Sequence, residues 1–418
     1  MNDIPAGYQQ TEVGLIPEDW EVVNLGAVAR GINRGASPRP IDDPRWFDEA
    51  SNIGWVRISD VTQSGRYLTE TTQRLSQDGV RHSRYVPSGA LIMSICATVG
   101  RPVETQIDTC IHDGFVLFDR PSAEQGFLYH VLKELEPRWS SKGQTGSQMN
   151  LNTGLIKSTR IPLPPTKAEQ EAIAEALSDA DALIESLEQL HTKKRHLKQG
   201  AMQELLTGKK RLPGFSGEWE VKRLGELTDI RSGGTPSTTQ PQFWDGDIPW
   251  CTPTDITGLN GFKYLGDTSR KISSLGLKSS SAEMIPVNSI VMTSRATIGE
   301  CAINTVSVST NQGFKNFVPF DQIDAEFLYY LLIMQKQAFI SLCGGSTFLE
   351  IGKTQLAVFE VTLPATKGEQ TAIAAILSDM DVEIAALEAK LAKARSLKQG
   401  MMQELLTGRI RLPLDAAA

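Results

Sequence analysis

The chain repeats one long segment. Residues 163–213 read LPPTKAEQEAIAEALSDADALIESLEQLHTKKRHLKQGAMQELLTGKKRLP, and 200 residues later they recur as LPATKGEQTAIAAILSDMDVEIAALEAKLAKARSLKQGMMQELLTGRIRLP. About 32 of the 51 positions are identical without a gap, far above chance for unrelated segments. A fainter echo precedes each copy. Trp20-Glu21-Val22 matches Trp219-Glu220-Val221, Ala97-Thr98-Val99-Gly100 matches Ala296-Thr297-Ile298-Gly299, and Phe127-Leu128-Tyr129 matches Phe327-Leu328-Tyr329. The chain therefore alternates globular and repeated segments. Within this one sequence the globular segments have diverged and the repeated ones have not.

Each repeat opens with a capping box, Thr166-x-x-Glu169 or Thr366-x-x-Glu369, just after a proline, which predicts a helix start. Apolar residues then recur at alternating spacings of three and four, giving a seam through Ile173, Leu177, Ile184 and Leu187 and through Ile373, Leu377, Ile384 and Leu387. Gly208 and Gly408, followed by Pro213 and Pro413, supply the stops. A helix of about 40 residues spans about 60 Å and cannot bury such a seam alone. Two coverings are open: each copy packs antiparallel against the other, or each lies on its own globular segment.

The globular segments hold short alternating runs, Ile53–Ile58, Ala90–Ile95, Val287–Thr293 and Phe314–Pro319, with helical runs at Glu124–Leu135 and Ala325–Ala338. A mixed α+β unit with polar loops is expected. Two of those loops, Arg30–Gly35 and Arg231–Thr238, offer donors and exposed backbone amides suited to phosphates and base edges. The balance of 42 Lys and Arg against 49 Asp and Glu gives a net charge of −7. That lowers the prospect of a lone nonspecific nucleic-acid binder without excluding a local basic face.

Enzyme signatures fail when their spacing is tested. Gly345 to Thr354 places six residues between its glycines where a phosphate-binding loop has four, and no apolar strand precedes it. There is no G-x-S-x-G and no H-E-x-x-H. Glu220-Val221-Lys222 has the Glu-x-Lys shape of a nuclease centre but lacks a convincing upstream acid, and three-residue matches arise often by chance. Five cysteines without a C-x-x-C pair, and five histidines without ligand spacing, predict neither a zinc site nor a disulfide framework. No metal site and no catalytic residue is expected. His112-Asp113 is either a base contact or a satisfied loop pair. The absence of a basic-then-apolar leader and of a long apolar run points to a cytoplasmic protein.

The opening YQQTEVGLIPEDW at residues 8–20, both LPxTKxEQ starts and the doubled LKQGxMQELLTG together resemble the specificity subunit of type I restriction-modification systems, over essentially the whole chain. The resemblance implies an α+β fold with a pseudo-twofold internal repeat. Target recognition domains at residues 1–163 and 212–363 would be separated by helical regions at 164–211 and 364–411 that pair as an antiparallel coiled coil, before a tail at 412–418. It implies a noncatalytic subunit that reads double-stranded DNA, one half-site per domain. Two modification subunits would dock on its helices, and restriction subunits would join through the complex. S-adenosylmethionine would then sit on the modification subunit, and ATP and Mg on the restriction subunit. Helix length would act as a ruler for the spacer between half-sites.

On this reading Arg34, Arg57 and Ser59 in the first domain, with Thr235, Thr254, Arg295 and Gln312 in the second, are the expected base contacts, and Arg231 a phosphate contact. Each arginine is otherwise an ordinary surface residue. Met202, Leu206, Met402 and Leu406 are expected as exposed apolar docking positions, or as plain seam. The competing function is a coiled-coil adaptor whose two domains bind proteins.

Overall fold

The structure, a computed structural model, describes residues 4–141, 151–343 and 349–413. Residues 344–348 of the glycine-lysine stretch and 414–418 of the tail lie outside the described residues. The chain divides into two compact units, Met1–Glu188 with Lys390–Ala418, and Gln189–Ala389.

Both units are built on the same sheet order. In the first, a five-stranded sheet runs Ala29–Arg34, Phe115–Pro121, Leu91–Ser94, Pro102–Thr105 and Tyr67–Leu68. A second sheet runs Gln73–Arg74, Gly54–Val56, Thr109–Ile111 and Arg84–Val86. In the second unit the corresponding orders are Thr228–Ser232, Phe314–Pro319, Ile290–Thr293, Cys301–Asn304, Tyr264–Leu265, and Lys271–Ile272, Trp244–Cys251, Ser309–Thr310. Central strands such as Leu91–Ser94 and Ile290–Thr293 are buried at every position, which explains their unbroken rather than alternating apolar pattern. The run read as one strand from Ile53 to Ile58 is a strand only over Gly54–Val56 and then turns into a helix, Ile58–Gln63. The cause is Asp60, whose carboxylate accepts from the Arg57 amide at 2.8 Å and caps the turn.

The repeats form helices Lys167–Leu205 and Lys367–Leu405, 39 residues each. On the first, positions 173, 177, 180, 184, 187, 191, 194, 198, 201 and 205 are all buried or half-buried and follow a four-three spacing, with Gln170 and Ala174 buried beside them at the start. In the first unit its opening half lies antiparallel to the closing half of the second helix. Arg395 bonds Glu188 at 2.6 Å and Lys398 bonds Asp181, so numbers rise on one helix as they fall on the other. In the second unit the same pattern joins His191 to Glu388, Lys194 to Glu383 and Lys198 to Asp381. Both proposed coverings of the seam therefore occur. Ile173 and Leu177 join a core with Trp20, Phe127 and Leu128 as well as with Leu405 and Leu406, and Ile373 and Leu377 do the same with Phe327, Leu205 and Leu206. Ile184, Leu187 and Ile384 are half-buried along the helix pair, and Leu387 is buried there.

The capping boxes are only half used as such. Thr166 Oγ1 accepts from the Glu169 amide at 3.3 Å, but the Glu169 carboxylate turns to Arg411, with Nε and Nη2 at 2.7 and 2.8 Å. Arg211 grips Glu369 in the same two-pronged way at 2.6 and 2.8 Å. Gln170 accepts from the Glu124 amide at 2.7 Å and donates to the Pro164 carbonyl, and Gln370 repeats this with Asp324 and Pro364. The Glu of each helix start and the Arg that follows each helix end recur together because they bind each other.

Beneath each helix start lies a polar cluster of different composition. In the first unit Arg66 bonds Ser178 at 2.5 Å and Glu104 at 2.7 Å, and His130 packs on Ser178. In the second, Lys263 bonds Ser378 and Glu326, and Tyr330 takes the place of His130 and donates to Asp381. Burial pushes His130 down to about 3, with Arg66 and Lys398 adding to the effect. Below the ordinary imidazole value near 6.5 the unfolded chain therefore binds a proton that the folded chain refuses. His130 should cost the first unit about 1.4 kcal/mol per pH unit as pH falls toward 3. Melting curves at pH 7 and pH 5 should show this acid loss, and His130→Tyr, which installs the second unit's residue, should flatten it. A second expectation concerns the buried carboxylates. Glu369 has only 3% of its side chain exposed, so Arg211→Ala should cost about 2 kcal/mol, less than a fully buried pair because the arginine is partly wet. Thermal unfolding measures it.

Candidate nucleic-acid interface

Strands of both sheets in a unit end at one place. In the first unit the parallel strands Gly54–Val56 and Thr109–Ile111 stop side by side, Val56 opposite Ile111, which sets Arg57 next to His112. The chain crosses from one sheet to the other through His112-Asp113-Gly114. His112 Nδ1 accepts from the Gly114 amide at 2.9 Å, closing a tight turn. Strand Ala29–Arg34 ends against this turn, where the Gly35 and Ala36 amides donate to the carbonyls of Phe115 and Ile111. A Cβ on Gly35 would lie 2.1 Å from the His112 carbonyl oxygen, so only glycine permits this approach.

The second unit rebuilds the frame bond for bond. Asn311 Oδ1 accepts from the Gly313 amide at 2.8 Å. The Gly233 and Gly234 amides donate to Phe314 and Thr310, and a Cβ on Gly233 would lie 1.9 Å from the Asn311 carbonyl oxygen. Asp255 caps its helix through the Thr252 amide at 2.7 Å as Asp60 does through Arg57. Ala97 and Ala296, at equivalent places in the neighbouring turn, both adopt φ 56°, a left-handed conformation uncommon for alanine.

What differs is the side chains on that frame. Arg34, Ser37, Arg57, Ser59, Cys96, His112 and Asp113 in the first unit stand where Ser232, Thr235, Thr252, Thr254, Arg295, Asn311 and Gln312 stand in the second. At the tips, Ser37 Oγ donates to Asp113 Oδ1 at 2.9 Å, and Thr235 Oγ1 donates to Gln312 Oε1. Arg34 donates from Nε to the Asp113 carbonyl at 2.6 Å, and Arg84 donates to the Arg34 carbonyl at 2.5 Å. Arg295 is held 2.9 Å from Glu350, which also faces the buried Lys315 amine at 3.5 Å. Burial pushes that amine down, while Glu350 opposes the shift. Burial likewise lowers His112, with Asp113 opposing the shift and Arg57 adding to it.

Of the residues expected to touch DNA, the structure gathers Arg34 and Arg57 at the first tip and Thr235, Gln312 and Arg295 at the second, with Ser59 and Thr254 exposed on the first turn of the capped helices. Arg231 does not join them. Its guanidinium is bonded to Asp229 at 2.7 Å and to the Met284 carbonyl at 3.2 Å, because it lies one residue inside its strand rather than at the end. The expectation of exposed docking positions at Leu206 and Leu406 is corrected: they are 1% and 4% exposed. They close the cores under the helix ends, and Met202 and Met402 pack partly buried on those same cores. Ser37, Asn311, Lys315 and Glu350 were not singled out in the sequence. Aligning the two copies around Gly114 and Gly313 would have found Asn311, and aligning Gly35 with Gly233 would have found Ser37. Among the described residues no group of three or more His, Cys, Asp and Glu is placed to hold a metal ion, and no helix is long and apolar enough to cross a membrane.

The close approach at Gly233 gives a test of the frame. Gly233→Ala should destabilise the second unit by about 2 kcal/mol or more, whereas Gly200→Ala, mid-helix with nothing within 4 Å, should stabilise by about 0.5–1 kcal/mol. Thermal melts of the two variants should move in opposite directions.

Comparison with known proteins places this geometry. The type I restriction modification DNA specificity domain family matches the chain twice, at residues 17–194 and 216–394. The putative type I restriction enzyme MjaX specificity subunit of Methanocaldococcus jannaschii is 25% identical over 432 residues, covering 97% of both chains. The MjaIX specificity subunit of the same organism is 37% identical over 166 residues, 39% of this chain and 38% of that protein's length. A crystal structure of a type I restriction-modification S subunit from M. genitalium superposes with a TM-score of 0.59 at 14% identity, covering 92% of this chain and 96% of that one. At that identity the likeness speaks for the fold.

Proposed function

The chain belongs to the DNA specificity subunits of type I restriction-modification systems, noncatalytic members of those complexes, and from that premise we propose that it reads a bipartite site, one half-site per recognition domain, through the strand-end faces. The recognition domains are residues 1–163 and 212–363, and the helical regions are 164–211 and 364–411. The observation that carries this reading is the frame rebuilt bond for bond with its tip residues exchanged. Two readers that must recognise unlike sequences need the same rigid support and different hydrogen-bonding groups. Strand ends and glycine turns provide the support, and the exposed tips are where substitution costs least stability.

The helices serve docking and spacing in this proposal. Two modification subunits dock on them, and restriction subunits join through the complex. S-adenosylmethionine is bound by the modification subunit, and ATP and Mg by the restriction subunit. Support for docking comes from apolar residues left in solvent on the helices. Leu183, Leu190 and Leu197 recur every seventh residue and are 54%, 41% and 50% exposed, and Val382 and Leu397 are exposed on the other helix. Helix length sets the untouched spacer. Inserting seven residues at matching points of both helices adds about 10 Å, or about three base pairs, to the preferred spacing.

Binding by the assembled complex tests the reading. A duplex carrying both half-sites should bind at least about a thousandfold tighter than one with either half scrambled, at fixed salt. Equal binding to both duplexes would refute DNA reading by this chain. The insertion variant should shift its preference to the longer spacer, as read by selection from a pool of randomised duplexes.

A further inference from the structure

Asp113 is an acid at the tip of a proposed DNA-reading face, and its surroundings confine what it can accept. Its side chain is 55% exposed. Ser37 Oγ donates to Oδ1 at 2.9 Å, and Arg34 approaches Oδ2 only at 4.0 Å while donating its Nε to the Asp113 main-chain oxygen. The turn that carries it is locked on both sides, by the His112 bond to the Gly114 amide and by Gly35 against the His112 carbonyl. The carboxylate is thus held in place with one oxygen largely free toward solvent.

A carboxylate only accepts hydrogen bonds, and on a DNA face that is a severe restriction. Phosphates repel it. In the major groove guanine N7 and O6, adenine N7 and thymine O4 are themselves acceptors, which leaves the exocyclic amines, cytosine N4 and adenine N6, as donors. The equivalent position in the second unit is Gln312, whose oxygen is turned to Thr235 and whose amide nitrogen has no partner among the described residues, so there the tip offers a donor. Building on the proposed reading of half-sites, we propose that Asp113 is a specificity-determining residue of the first recognition domain, accepting a hydrogen bond from the exocyclic amine of one cytosine or adenine in its half-site.

The test uses the full chain in complex with its modification subunits, on a duplex selected from a randomised pool. In separate duplexes each dC of the first half-site is replaced by the 2-pyrimidinone deoxyriboside, which lacks the 4-amine, or each dA by the purine deoxyriboside, which lacks the 6-amine. One such replacement should weaken the wild-type complex about tenfold and the Asp113→Ala complex less than about twofold. Which analogue does so identifies the base. Asp113→Ala should melt at the wild-type temperature, because the side chain is exposed. If every such removal costs both proteins equally, Asp113 reads neither the cytosine nor the adenine amine and the inference is overturned while half-site reading stands. A wild-type complex that does not distinguish the selected duplex from a scrambled one overturns the proposed function and this inference with it.

Discussion

A 39-residue helix that turns an apolar or half-buried face inward every three to four residues cannot stand alone in water, and the rest of this structure follows from how that face is covered. The first two seam positions of each helix sink into a globular core that also takes in the last turn of the other helix. Farther along, charged pairs line the seam, Lys198 with Asp381 and Lys398 with Asp181. These pairs are half-buried, and a shifted register would part them, so they penalise wrong alignments. The bidentate grips of Arg211 on Glu369 and Arg411 on Glu169 fix the ends. Any loosening there leaves a buried carboxylate without its partner.

That fixed base explains the uneven divergence of the chain. Residues that bind one another across the repeat, the Glu of each start and the Arg of each end, are constrained from both sides. The strand-end frames are constrained too, by close backbone approaches at Gly35 and Gly233 and by the capping acids Asp60 and Asp255. The outermost side chains, Asp113 and Gln312, are exposed, and each accepts one hydrogen bond from a neighbouring hydroxyl. Exchanging Asp113 for Gln312, or Cys96 for Arg295, alters what the surface can bond to and leaves the backbone hydrogen bonds in place.

Much of this was legible in the sequence because periodicity and duplication are long-range signals that local accidents do not erase. The helices and their stops follow from a 51-residue repeat, which leaves open whether the other copy or the globular segment covers the seam. The misreadings were local. Glu169 looked like a helix cap, and its real partner, Arg411, is 242 positions away. Leu206 and Leu406 are apolar positions near the helix ends that could dock a partner or join the seam, and the structure sinks both into the cores. Arg231 and Arg34 lie on equivalent edge strands, but a difference of one residue inward points Arg231 at Asp229 and away from the tip. The bonds that make His112 and Asn311 equivalent run through their side chains to a backbone amide, which no propensity records.

The central claim is that one shared frame carries two exchangeable sets of reading groups. The most direct measurement transplants the second set onto the first frame: Arg34→Ser, Ser37→Thr, Arg57→Thr, Ser59→Thr, Cys96→Arg, His112→Asn and Asp113→Gln in one chain. The resulting complex is then challenged with duplexes randomised over both half-sites. The account predicts a changed first half-site, shifted toward the second, with the second half-site untouched. An unchanged first half-site in a properly folded, partner-bound chain would contradict it.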